Sequence, residues 1–121
     1  MNLTLCGSIT FIREMNTLCE QLEVLGHGVQ LPTQEAKPRG QLMNEHYAKI
    51  EQSDAIVVAN YTKNGVENYI GPSTLIEMAI AFYLRKPIFL LNPIPQISYF
   101  EEIVGMNPII INGNLQQICA S

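Results

Sequence analysis

Asp54-Ala55-Ile56-Val57-Val58-Ala59-Asn60 is the stretch on which the fold of this 121-residue chain turns. A strand with one wet face alternates apolar and polar residues, whereas this run is apolar throughout its middle, as a parallel strand covered by helices on both faces should be. It reads as the centre of a sheet.

Working toward the N-terminus, Met43, Tyr47 and Ile50 recur at helical spacing and line one face of a helix that ends near Ser53. The polar stretch Thr33 to Gly40, with Lys37-Pro38-Arg39, is a loop. Val29 to Leu31 is a short strand closed by Pro32. Before Gly26-His27-Gly28, the residues Phe11, Met15, Leu18, Leu22 and Leu25 mark a helix. Leu3 to Cys6 is the first strand and stops at Gly7-Ser8. Toward the C-terminus, Tyr61 to Ile70 is a turn-rich loop, and a helix runs from about Thr74 to Lys86. Pro87 to Asn92 is a fourth strand. Pro93 and Pro95 break the chain, a short helix follows around Tyr99 to Val104, and Pro108 to Ile111 is a last strand before Asn112-Gly113.

Strands alternating with helices predict α/β architecture: a single domain over 1–121, three layers α/β/α, with a mostly parallel five-stranded sheet and right-handed crossovers. Ligands of such sheets bind beyond the carboxyl ends of the strands, where strand order reverses. That rule selects Gly7-Ser8, Asn60-Tyr61 and the helix start from Gly71 to Glu77.

Composition narrows the partners. A hydrophobic content of 47% with 15% charged residues describes a chain that buries a core without staples. A formal charge of -4 with only seven Lys and Arg argues against long nucleic acids, while small anions can still bind at helix N-termini. No apolar run reaches membrane-spanning length, and MNLTLCGSITF has no basic leader, so a cytoplasmic protein is predicted. Cys6, Cys19 and Cys119 include no CxxC pair, which indicates neither a disulfide framework nor a structural zinc site.

Glu77 is the residue that demands explanation, since Leu75, Ile76 and the run Met78 to Leu84 surround it with apolar side chains. Thr74-Leu75-Ile76-Glu77 matches a capping box, in which the carboxylate satisfies the helix start; alternatively Glu77 faces a ligand cleft. Cys6-Gly7-Ser8 is either a plain N-cap or an anion cradle, and no GxGxxG or Walker lysine accompanies it. Five residues after Cys6 stands Ile12 rather than an arginine, which excludes a tyrosine-phosphatase loop and leaves Cys6 as a buried, inert thiol. His27 reads as a turn residue. His46, in Asn44-Glu45-His46-Tyr47, reads as part of a solvated face with no second metal ligand at a suitable spacing. No metal and no cofactor are expected.

Taken together, CGSITF, SDAIVVANY and GPSTLIEMAIAFYLRKPIFLLN resemble the nucleoside 2-deoxyribosyltransferase family and its nucleoside 5′-monophosphate N-hydrolase relatives, over roughly Leu3 to Asn92. The resemblance implies a Rossmann/flavodoxin-like fold, a homodimer or larger homo-oligomer, and a small-molecule nucleoside or nucleotide substrate. It maps the nucleophile onto Glu77 and a sugar- or phosphate-holding loop onto Gly7 and Ser8. Asn60 stands where the family commonly has an aspartate that helps protonate the leaving base, and Glu67 is the acid nearest in the following loop. The expected function is cleavage or transfer at an N-glycosidic bond. Glu77 and Asn60 are its catalytic residues, and Gly7, Ser8, Tyr61, Gly71, Ser73 and Thr74 hold the substrate. The alternative is a catalytically silent nucleotide-binding or sensing module on the same fold.

Overall fold

In the computed structural model, which describes residues 1–119, a five-stranded sheet is assembled in the order β2-β1-β3-β4-β5. The strands are β1 (Asn2–Cys6), β2 (Gly28–Gln30), β3 (Ala55–Val58), β4 (Ile88–Leu90) and β5 (Ile109–Ile110). Every pairing is parallel, so the expected mostly parallel sheet is parallel throughout. Four α-helices connect them: α1 (Ile12–Val24), α2 (Arg39–Gln52), α3 (Pro72–Tyr83) and α4 (Phe100–Gly105). Two short 3-10 turns, Ile9–Phe11 and Leu115–Gln117, complete the described chain.

Period-two alternation divides the core. Leu3, Leu5, Ala55, Val57 and Phe89 point into one layer and meet Met15, Leu18 and Leu22 of α1 together with Ile111 and Ile118. Cys6, Ile56, Val58, Ile88 and Leu90 point into the other and meet Ile50 of α2, Met78 and Ala81 of α3, and Ile103 and Met106. All four residues of β3 are buried, as the unbroken apolarity of that stretch requires. Thr4 breaks the apolar pattern of β1, and its hydroxyl is satisfied by Ser53 Oγ at the end of α2.

The order 2-1-3-4-5 places the reversal of strand order between β1 and β3, where Cys6 lies in register with Val58. The crevice therefore opens beyond Cys6 and Val58. The helix that walls it, α3, starts two residues earlier than the sequence suggests. Gly71 is its N-cap and Pro72 occupies the first position, where a missing N–H costs nothing. No side chain caps this helix, so the capping box predicted for Thr74 and Glu77 is not formed: Glu77 lies in the second turn, too far along to reach a cap amide.

Candidate active site

A cleft of about 390 Å³ opens at the β1–β3 switch point, large enough for a nucleotide-sized ligand. Gly7, Ser8 and Ile9 line it from the end of β1, Pro32, Thr33, Gln34 and Glu35 from the β2–α2 loop, and Arg39 from the start of α2. Met43, His46 and Tyr47 face it from α2, Lys63 and Tyr69 from the β3–α3 loop, and Gly71 to Thr74 with Glu77 from α3.

Glu77 sits in its wall with 16% of its side chain exposed. Its Oε1 lies 3.7 Å from Nε2 of His46, and the same nitrogen is 3.5 Å from Sγ of Cys6. The distances permit an ion pair but the electrostatics do not. Burial raises the Glu77 carboxyl to about 7 against a smaller opposing pull from its hydrogen bond with Cys6. Burial, then the charge of Lys49, lowers His46 to about 4. Between those values both groups are neutral, so the contact is a polar one between uncharged partners. Burial, followed by the charge of Glu77, pushes the Cys6 thiol well up, and it stays protonated. Nδ1 of His46 is buried without a hydrogen-bond partner.

Also in the cleft lining, Lys63 Nζ donates to Ser8 Oγ at 3.0 Å and lies 5.3 Å from the centre of the Tyr69 ring. The local chain fixes it there. Lys63 and Val66 exchange two backbone hydrogen bonds across Asn64-Gly65, whose φ values of 50° and 78° form a tight hairpin that few other residue pairs adopt. The cleft lining thus includes the Glu77 carboxyl together with a cation held by a hydroxyl.

The structure brings Gly7, Ser8, Gly71, Ser73, Thr74 and Glu77 together on the cleft. It does not bring Asn60 or Tyr61. Asn60 is fully buried; its Nδ2 donates to the carbonyls of Asn92 and Pro93 at 2.9 and 3.2 Å, and its Oδ1 accepts from Asn92 N at 2.9 Å. That amide ties the end of β3 to the turn after β4. Tyr61 packs edge-to-face on Phe11, with ring centres 5.2 Å apart. Glu67 is exposed and off the cleft. His46 is the opposite correction: expected on a solvated face, it is 5% exposed. Helical periodicity explains it, because position 46 shares a face with Met43 and Ile50. The sequence reading also missed Lys63, although Asn64-Gly65 is a hairpin signal that fixes its place. Arg39, at the first position of α2, gave no signal beyond its charge.

An all-parallel 2-1-3-4-5 sheet defines the class to which this protein belongs, a flavodoxin-like α/β fold, here with a cleft at its switch point whose lining includes a largely buried carboxyl. Three solved structures that share it are a CMP N-glycosidase and two 2-deoxyribosyltransferases. The CMP N-glycosidase of Clostridium botulinum superposes with a TM-score of 0.68 at 22% identity, covering 98% of each chain. A 2-deoxyribosyltransferase from Leishmania mexicana gives 0.61 at 15% identity over 99% of this chain and 87% of that one. The 2-deoxyribosyltransferase of the psychrotolerant bacterium Bacillus psychrosaccharolyticus gives 0.55 at 19%, over 74% and 71%. These are likenesses of fold, and at that level the resemblance read from the sequence is met. No family model and no curated protein matches the chain.

Proposed function

We propose that the chain cleaves or transfers at the N-glycosidic bond of a nucleoside or nucleoside 5′-monophosphate, with Glu77 as the nucleophile. The observation that carries this reading is the position of Glu77, a largely buried carboxylate in the wall of the switch-point cleft that no cation neutralises. The neighbours' activities, on CMP and on deoxyribosyl groups, support the substrate class.

In this mechanism a carboxylate oxygen of Glu77 attacks C1′ as the C1′–N bond breaks, and the bonding electrons leave with the base. The base takes its proton from water in the open cleft, since Asn60 carries none and Glu67 lies elsewhere. Water then cleaves the glycosyl ester in a hydrolase; a second base does so in a transferase. Ser8, Lys63 and Arg39 face the 5′ end of the substrate, where Lys63 adds a charge-assisted hydrogen bond to a phosphate. The free amides of Ser73 and Thr74 at the start of α3 favour the same anion. A cytoplasmic homodimer fits this reading, with the exposed apolar residues of α3 as the contact.

The test is incubation with pooled deoxynucleosides, ribonucleosides and their 5′-monophosphates, with and without an acceptor base, alongside Glu77→Ala. Base released by the wild type and not by the variant is the expected result; base exchange without net release identifies a transferase. A second reading, binding without turnover, is favoured by the proton that Glu77 holds up to about pH 7. Thermal stabilisation by an intact nucleotide with no base released would establish it.

A further inference from the structure

We propose that Cys6, His46 and Glu77 form a binding site for a thiophilic divalent cation of the Zn²⁺ type in the wall of the cleft, and that the bound cation silences the carboxylate. Three elements supply one ligand atom each: Sγ from the end of β1, Nε2 from α2 and a carboxylate oxygen from α3. These atoms all lie within 4.8 Å of one another, with Sγ to Nε2 at 3.5 Å and Nε2 to Oε1 at 3.7 Å. A tetrahedral zinc ion with bonds of about 2.3 Å to sulfur and about 2.0–2.1 Å to nitrogen and oxygen sets its ligand atoms roughly 3.3–3.6 Å apart. Those two edges need little adjustment. As a hydrogen bond, by contrast, the 3.7 Å contact between Nε2 and Oε1 is long.

The chemistry of the three donors selects the metal. A thiolate, an imidazole and a single carboxylate suit zinc and its soft neighbours, whereas Mg²⁺ and Ca²⁺ require oxygen. Thiolate and carboxylate together cancel the charge of a dication, so the filled site is neutral in its buried surroundings. His46 and Glu77 line the cleft, which gives the ion an entry path and leaves a fourth position toward solvent. Binding forms three metal–ligand bonds, and releases to water the Cys6 thiol proton and any proton on Glu77; nothing is oxidised or reduced. The site itself stands on this geometry. The silencing rests on the reading of Glu77 as nucleophile, because an oxygen lone pair held by a metal does not attack C1′.

Co²⁺ is the probe for the site, applied to chelator-treated protein in which Cys19→Ser and Cys119→Ser remove the other thiols. The expected result is one equivalent bound with a sulfur-to-cobalt charge-transfer band, displaced by Zn²⁺ and untouched by excess Mg²⁺. Cys6→Ala abolishes the band, and His46→Gln, verified as folded by its near-ultraviolet circular dichroism, weakens cobalt binding by at least about tenfold. A band that survives Cys6→Ala, or no stoichiometric binding to the folded protein, overturns the site. With the site established, one equivalent of Zn²⁺ abolishes base release and a chelator restores it; base release unchanged by bound zinc overturns the silencing. Metal-free protein that releases no base from any substrate refutes the nucleophile reading and its silencing, while the cobalt spectrum judges the site separately.

Discussion

Glu77 and His46 titrate in opposite senses, and the consequences are measurable. In the folded protein Glu77 holds its proton to about 7, above its ordinary 4.5, so it favours folding at low pH and that contribution is lost as pH rises toward 7. His46 is lowered from 6.5 to about 4, so its contribution is present above 6.5 and lost as pH falls toward 4. Over the shared window, about pH 4.5 to 6.5, the two slopes cancel. Relative to wild type, Glu77→Gln therefore loses stability as pH falls through this window and His46→Gln gains it, each by about 3 kcal/mol at most. Urea titrations at several pH values read both, and parallel curves for the two variants would contradict the assignment. If Glu77 is the nucleophile proposed above, only its ionised form attacks, so kcat/KM for base release is expected to rise with unit slope up to about pH 7 and then level. A profile flat from acid to alkaline pH would remove Glu77 from the nucleophile's role.

The elements are held together by a few close contacts. Gly7, which follows β1, is one, because a Cβ there would stand 3.1 Å from the carbonyl oxygen of Ala59 and 3.3 Å from Met15 Sδ. Gly7→Ala is expected to destabilise by about 1–3 kcal/mol, through crowding against backbone that the sheet holds in place. Asn60 is another, joining β3 to the turn after β4. Asn60→Ala leaves the Asn92 amide without its partner and should cost about 3 kcal/mol, seen as a lowered Tm, with KM for substrate unchanged in the molecules that remain folded. A variant as stable as wild type but impaired in KM would return Asn60 to the site. The Lys63 hairpin is the third. Lys63→Ala is expected to raise KM for 5′-monophosphates by roughly ten- to a hundredfold and leave unphosphorylated nucleosides unaffected, since one charged hydrogen bond is at stake. Equal losses on both substrates would show that Lys63 shapes the loop and does not meet phosphate.

At the scale of the whole molecule, Ile76, Phe82 and Tyr83 of α3 are 43, 51 and 84% exposed and spaced along one side of the helix, and they are the contact of the homodimer proposed above. If that homodimer forms, Phe82→Glu is expected to lower the sedimentation coefficient from that of a dimer to that of a monomer while leaving the fold intact; a monomeric wild type, or a dimer unchanged by the substitution, would clear α3 of the contact. Among the described residues no helix is long and apolar enough to cross a membrane. Much of this architecture was legible beforehand, because a parallel strand must be apolar on both faces and a covering helix on one. The run 54–60, the spacing of Met15, Leu18 and Leu22, and the breaks at Gly26 and Pro87 each express that local demand. Glu77 stood out for the same reason, as a charge where apolar residues belong. The sequence by itself thus determined the elements, their alternation and the crevice rule that pointed to Gly7, Ser8 and Glu77. Only the tertiary structure decided what those residues meet. It set Cys6 against His46 across 40 positions, turned His46 inward, engaged Asn60 with backbone and carried Lys63 to Ser8. Contacts between distant positions follow from strand order and helix rotation, which no local pattern encodes, whereas burial and periodicity are written into each segment by the solvent it must avoid.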